Sequence, residues 1–181
     1  MSEKYKVKNP DGIYFITFTV IDWVDLFTRP IYKHILVDSL IHCQDKKGLI
    51  IYAYVFMSNH LHLIVKAQNG NLQDIVRDYK RFTNLELIKA IRENTESRKV
   101  WLLRKFEYEA KQINRNNKYK IWQDGFHPVE LDNNKKKEQR LNYIHNNSVV
   151  EELVEKPEDY IYSSARNYCW GSGVIDIERL I

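Results

Sequence analysis

The sequence predicts an α+β fold of the ferredoxin-like split βαβ kind, an antiparallel sheet with helices on one face, followed by a C-terminal tyrosine-bearing helix and tail. Three observations carry that reading. Runs that alternate in polarity or are rich in β-branched and aromatic residues occur at 13–21, 49–57 and 60–67. Segments with apolar residues at helical spacing follow the first and third of them. The resulting order, strand, helix, strand, strand, helix, is most of a split βαβ unit. A chain of 181 residues is long enough for one well-buried core, so a single domain over 1–181 is expected, with 93–125 as a basic insertion and 150–181 as a tail.

In chain order, Ile13 to Ile21 (IYFITFTVI) places Tyr14, Ile16, Phe18 and Val20 on one side and Phe15, Thr17 and Thr19 on the other, which is a strand. Pro30 suits a first helical turn, and Ile31, Ile35, Leu36, Leu40 and Ile41 recur at helical spacing until a stop near Gly48. LIIYAYVFM (49–57) and HLHLIVKA (60–67) flank the turn-like Ser58-Asn59 and form two adjacent antiparallel strands. Leu72, Ile75, Val76, Tyr79, Phe82, Leu87, Ile88 and Ile91 mark a longer second helix. Periodicity weakens from Glu93 to Gly125, as in a loop-rich insertion or irregular helix. A third helix runs from about Asn134 to Asn147, with Leu141 and Ile144 on its apolar side. The last segment is turn-rich, with Tyr160, Tyr162, Tyr168 and Trp170 as anchors back onto the domain.

Composition excludes several classes. With 44% hydrophobic and 29% charged residues and only 6 Gly and 4 Pro, the chain is neither disordered nor collagenous. No apolar run approaches the ~20 residues of a membrane helix, and MSEKYKVKNPDG lacks the apolar stretch of a secretory signal, so a cytoplasmic protein without membrane contact is expected. The 2 cysteines, Cys43 and Cys169, have no metal-knuckle or disulfide spacing and read as ordinary thiols. The net charge is only +4, but eight basic residues face two acids between Arg98 and Ile121. Arg98, Lys99, Arg104, Lys105, Arg115, Lys118 and Lys120 alternate there with Trp101 and Tyr119. Phosphate-neutralising charge beside flat rings is what single-stranded nucleic acid requires, although a solvated surface segment has the same composition.

The chemistry-bearing residues lie elsewhere. His60 and His62, two apart on a strand, leave the same face about 7 Å apart. Leu61, Leu63 and Val65 point to the opposite, helix-covered face, which puts the histidines on the open side of the sheet. Two neutral imidazoles with positions left for oxygen ligands suit a catalytic divalent ion. Tyr143 and Asn147 stand at i and i+4 of the third helix, about 6 Å apart along its axis and off the Leu141/Ile144 face. A tyrosine one turn from an amide oxygen can act as a nucleophile beside an ion, although taken alone such a tyrosine is more often a surface or partly packed residue. His145 lies off that face and reads as a packing or capping histidine.

At this point the motifs resemble a family. MSNHLHLIV (57–65) is similar to the MPNHxHLLV signature of HUH single-tyrosine transposases, and IWQDGFHPVEL (121–131) to the segment before their tyrosine helix. LNYIHNNSVVEELV (141–154) resembles their YIHxNPVxxGLV element, and YIYSSARNY (160–168) the WSSARxY string of the REP-associated tyrosine transposases. The match covers nearly the whole chain in order. It implies a single HUH transposase-like domain in which His60, His62 and Asn147 hold Mg²⁺ or Mn²⁺ and Tyr143 attacks DNA. The activity implied is cleavage of hairpin-containing single-stranded DNA through a 5′-phosphotyrosine, with rejoining. Lys80 and Arg81 join the basic segment as expected DNA contacts. A dimeric insertion-sequence transposase with exchanged tyrosine helices, or a non-catalytic nucleic-acid-binding module, would use the same fold, and a monomer or a homodimer fits the sequence. Three departures stand out: Ser58 and Ser148 replace prolines, and Glu152 stands where glycine is common. The Ser148 change bears on how the tyrosine helix ends.

Overall fold

The computed structural model describes residues 7–112 and 118–180. Its elements are β1 (Tyr14–Thr19), α1 (Pro30–Lys47), β2 (Leu49–Phe56), β3 (His60–Ala67), α2 (Leu72–Glu93), α3 (Lys99–Lys111), β4 (Val129–Glu130), α4 (Asn134–Val150) and α5 (Ala165–Trp170). The sheet order is β2-β3-β1-β4, and every pairing is antiparallel. This completes the split βαβ expectation: β1 and β2 are parallel and non-adjacent, and β3 fills the gap between them. The short β4, which the sequence did not signal, pairs Tyr14 with Glu130 and Phe15 with Val129.

Local chemistry accounts for the element ends. Pro30 begins α1, and Gly48 ends it with φ +68°, a left-handed backbone that glycine adopts without strain. Asn133 caps α4 by accepting from the Lys136 N–H. In β2 a register shift between Ile51 and Ala53 reverses the parity of the strand. Ile51, Tyr54 and Phe56 therefore share one core while Ala53 and Val55 face the other. That bulge is why LIIYAYVFM does not alternate in sequence.

The sheet is covered on both faces. α1 and α2 pack on one, over Ile16, Phe18, Leu61, Leu63 and Val65. The tyrosine-bearing α4 lies across the other, where Leu141 and Ile144 meet Phe15, Ala53, Val55 and Ile64. The histidine face is thus not the open side that strand alternation implied. It lies partly under α4, and His62 is buried.

Two further differences from the sequence expectation have simple causes. The segment 99–111 is a regular helix, with Leu102, Phe106 and Ala110 as its buried stripe. Val100, Trp101 and Tyr108 are exposed on its outer side, and these extra apolar residues hide the period. The tail runs along the outer edge of β2: Ser163 bridges Val55, and Phe56 N–H donates to the Tyr162 carbonyl. This covers an edge that would otherwise be open to pairing. Tyr160 and Tyr168 donate to the carbonyls of Phe56 and Tyr52 and so anchor the tail. Trp170 does not. It is 54% exposed, with the Arg166 guanidinium over its ring.

Candidate active site

β3 is a central strand, and its pairing with β1 sets Thr17 opposite His62 and Thr19 opposite His60. The Thr17 hydroxyl lies 2.8 Å from His62 Nδ1, and Phe15 stacks on the same imidazole at 5.2 Å. On the turn before β3, Asn59 Nδ2 donates to Asp25 Oδ1 (2.9 Å) and to the Trp23 carbonyl (3.2 Å). Those two acceptors fix the orientation of the amide. Its oxygen therefore faces His60 Nδ1, 2.6 Å away, and that nitrogen must carry the proton. His60 Nε2 is left as a lone pair. Ser58, in the place of a proline, donates to Asp25 Oδ1 at 2.6 Å and steadies the turn by hydrogen bonding instead of ring closure.

α4 brings the nucleophile candidate to this pair. The Tyr143 hydroxyl is 3.3 Å from His62 Nε2, and its ring meets both His62 and Phe15 edge-on. Arg140, one turn earlier, spreads its guanidinium over the Phe15 ring at 4.7 Å. Asn147, one turn later on the same helix, is buried. Tyr143 itself is 45% exposed, so its oxygen stays open to a substrate.

Burial, reinforced by the neighbouring positive charge of His60 and Arg140, pushes the pKa of His62 down to about 3. Burial also lowers His60, against a smaller opposing effect of Asp25. Both imidazoles thus favour the neutral form more than an ordinary histidine does, and His62 keeps it well below the ordinary value. The donor set fits a divalent ion: each Nδ1 is held from behind, as in histidine metal ligands generally, and both Nε2 atoms are turned away from those contacts, that of His62 toward the Tyr143 hydroxyl. Among the described residues no three His, Cys, Asp or Glu side chains cluster as a closed site, so amide, phosphate or water oxygens would fill the remaining positions.

The expected DNA contacts separate into two groups. Lys80 Nζ donates to the carbonyls of Gln123 and Gly125, both at 2.6 Å, and pins that loop to α2. Arg98 binds the buried Glu96 and the Asp25 carbonyl. Lys99 donates to the Arg92 carbonyl, Lys105 pairs with Asp22 and Glu109, and Lys120 pairs with Asp124. The Tyr119 hydroxyl accepts from Arg92. These groups hold the fold together. Arg81, Arg104 and Lys118 are exposed and carry no ion pair among the described residues, and Trp101 is 51% exposed. Arg115 lies outside the described residues.

Thr17, Asn59, Asp25, Arg140 and Trp23 were not singled out by the sequence. Thr17 had a signal, a polar residue on the His62 side of the sheet, and Arg140 stands at i−3 from Tyr143. Trp23 and Asp25 lie in an irregular connection and had none.

No protein-family model and no curated protein matches the sequence. Among solved structures, the fold is similar to that of a REP-associated tyrosine transposase bound to a REP hairpin, with a TM-score of 0.66 and 20% identity, over 100% of this chain and 99% of that one. The chain therefore has that fold along its whole length. No helix among the described residues is long and apolar enough to cross a membrane.

Proposed function

We propose that this protein is a metal-dependent single-stranded DNA endonuclease and strand transferase of the REP-associated tyrosine transposase type, with Tyr143 as its nucleophile. The observation that carries the reading is the meeting of the Tyr143 hydroxyl with His62 Nε2 at 3.3 Å, in a pair of imidazoles whose Nδ1 atoms are both held from behind. The sequence motifs and the fold of a hairpin-bound neighbour support it.

Mg²⁺ or Mn²⁺, held by Nε2 of His60 and His62 with the Asn147 amide oxygen, would polarise the scissile phosphate. Thr17 and Asn59 fix the imidazole orientations, and Phe15 and Arg140 hold the Tyr143 ring. The phenolic oxygen attacks phosphorus and forms the Tyr143–phosphate ester. The P–O3′ bond breaks, the departing oxygen takes a proton to become a 3′-hydroxyl, and the phenolic proton passes to solvent at the exposed side of Tyr143. Attack by another 3′-hydroxyl reverses the step and joins strands without a nucleotide cofactor.

The substrate is a DNA hairpin with a single-stranded flank, met by the exposed cations Arg81, Arg104 and Lys118 and by the Trp101 ring. The reaction belongs in the cytoplasm, where such strands arise. Tyr143 meets His62 within one chain, an arrangement that suits the REP-associated reading. A 3′-labelled strand incubated with Mn²⁺ should yield a denaturant-resistant protein–DNA band that Tyr143→Phe cannot form. A 5′-labelled strand should release a free fragment ending in 3′-hydroxyl. Adduct from the Phe variant removes Tyr143 from the mechanism, and parent protein that binds DNA without adduct would indicate a binding module.

A further inference from the structure

Four rings stand in a row across the site. Trp23 to His60, His60 to His62 and His62 to Tyr143 are 5.6, 4.7 and 5.1 Å between centroids, each pair meeting edge to face. Tyr143 ends the row on one side and Trp23 on the other. The Trp23 ring is 57% exposed, although Val24, Leu26 and Phe27 of the same connection are buried. Its position is imposed. Asp22 and Trp23 are consecutive non-glycine residues with left-handed backbones, φ +51° and +54°, which residues bearing a Cβ adopt only when their surroundings dictate it. Lys105 pairs with the Asp22 carboxylate, Trp23 N–H donates to the Val20 carbonyl, and Asn59 donates to the Trp23 carbonyl. The same Asn59 amide holds His60 Nδ1, so one side chain sets the relation between the indole and the imidazole pair.

We propose that Trp23 is a positioning residue: a stacking platform for the base of the nucleotide that carries the leaving 3′-oxygen. The proposal rests on the reaction proposed above. In an in-line displacement at phosphorus the leaving oxygen departs opposite the attacking one. With the attacking oxygen on Tyr143 at the His62 end, the leaving strand is directed past His60 onto Trp23. A flat exposed indole stacks any base, because every base has a π face, so the platform places the strand without reading its sequence. The Lys105–Asp22 pair ties this platform to α3, the helix that also carries the exposed Arg104 and Trp101.

The test uses full-length protein in the Tyr143→Phe background with EDTA, so that no strand is cut, and measures fluorescence anisotropy with two probes: a short oligothymidylate and an abasic strand of the same length. Trp23→Ala should weaken oligothymidylate binding about tenfold and leave abasic binding unchanged, and Trp23→Phe should retain most of the difference. Equal weakening of both probes by Trp23→Ala, or of neither, overturns the platform. If Trp23→Ala does not fold, Trp23→Leu, apolar but without a flat face, replaces it under the same criteria. For sidedness, 5-iodouracil placed on either side of the cut bond should cross-link to the peptide containing Trp23 only from the 5′ side, and capture only from the 3′ side overturns the assignment. Failure of the parent to form any Tyr143 adduct overturns the nuclease reading, while the oligothymidylate comparison still decides the platform.

Discussion

Two imidazoles held neutral by burial, His62 fully and His145 partly, should make the metal-free protein acid-labile well above the carboxylate range. The perturbation is a shift from pH 7.5 to 5.0. His62 is held down to about 3 by burial and neighbouring positive charge, and His145 to about 4 by burial between α4 and the tail. His145 Nε2 lies 3.1 Å from Ser164 Oγ, which also accepts from Tyr54 N–H. Unfolded, both histidines titrate near 6.5. Between that value and the depressed folded values the unfolded state binds protons that the folded state refuses, so stability falls as pH falls. Each group contributes about 1.4 kcal/mol per pH unit below 6.5, roughly 2 kcal/mol at pH 5 and about 4 kcal/mol for the pair. That is a large share of the roughly 5–15 kcal/mol a domain has. Carboxylates held low by partners, such as Glu96, add their losses only below about 4.5, outside this window. Urea unfolding in EDTA at the two pH values measures the difference directly, and His145→Gln should remove about 2 kcal/mol of it, leaving the share of His62 and of His60, which burial lowers in the same direction. Equal stability at pH 7.5 and 5.0, or an unchanged pH dependence in His145→Gln, would refute the assignment of these groups as buried and neutral.

Other consequences can be measured separately. Thr17→Val keeps the shape but removes the hydroxyl on His62 Nδ1, and calorimetric Mn²⁺ affinity should drop about 10- to 100-fold without loss of fold; unchanged affinity would mean that Thr17 does not orient the ligand. Glu152 ends the tyrosine helix with φ +55°, so Glu152→Gly should raise stability in urea by about 0.5–1 kcal/mol, and a decrease would show that the side chain does more than occupy the turn. Ser148 is fully buried and its hydroxyl has no partner among the described residues, so Ser148→Ala should stabilise by about 1 kcal/mol in the same assay. Neutralising Arg104 and Lys118 together should lower the salt slope of single-strand binding by up to ~1.4, about 0.7 for each phosphate that is no longer neutralised, whereas Lys120→Gln, whose charge is already paired with Asp124, should change it less; the reverse ranking would exclude the exposed cations as the groups that meet DNA.

The departures from the motif show how far local rules reach. A proline at 148 would remove a helical N–H and break the helix there; serine lets α4 continue to Val150, and the left-handed Glu152 then turns the chain. This answers how the helix ends, which the motif alone left open. Likewise the SSAR string follows from packing: Ser163 bridges Val55, and Ser164 joins Tyr54 and His145.

Periods of two and 3.6 are properties of neighbouring residues, so the sequence by itself determined β1, β3 and the main helices, the shared face of His60 and His62, and the shared face of Tyr143 and Asn147. Whether those faces meet depends on contacts across the chain. Tyr143 reaches His62 from 81 positions away because α4 lies across the second face of the sheet, and that same crossing buries His62 and lowers its pKa. Charge shows the same division: the basic segment is visible in composition, but the commitment of Arg98 to the Asp25 carbonyl and of Lys105 to Asp22 is made by an element far along the chain. Trp23 has no periodicity to announce it, since its backbone is held left-handed by Asn59 and Lys105, and only tertiary packing sets it beside His60.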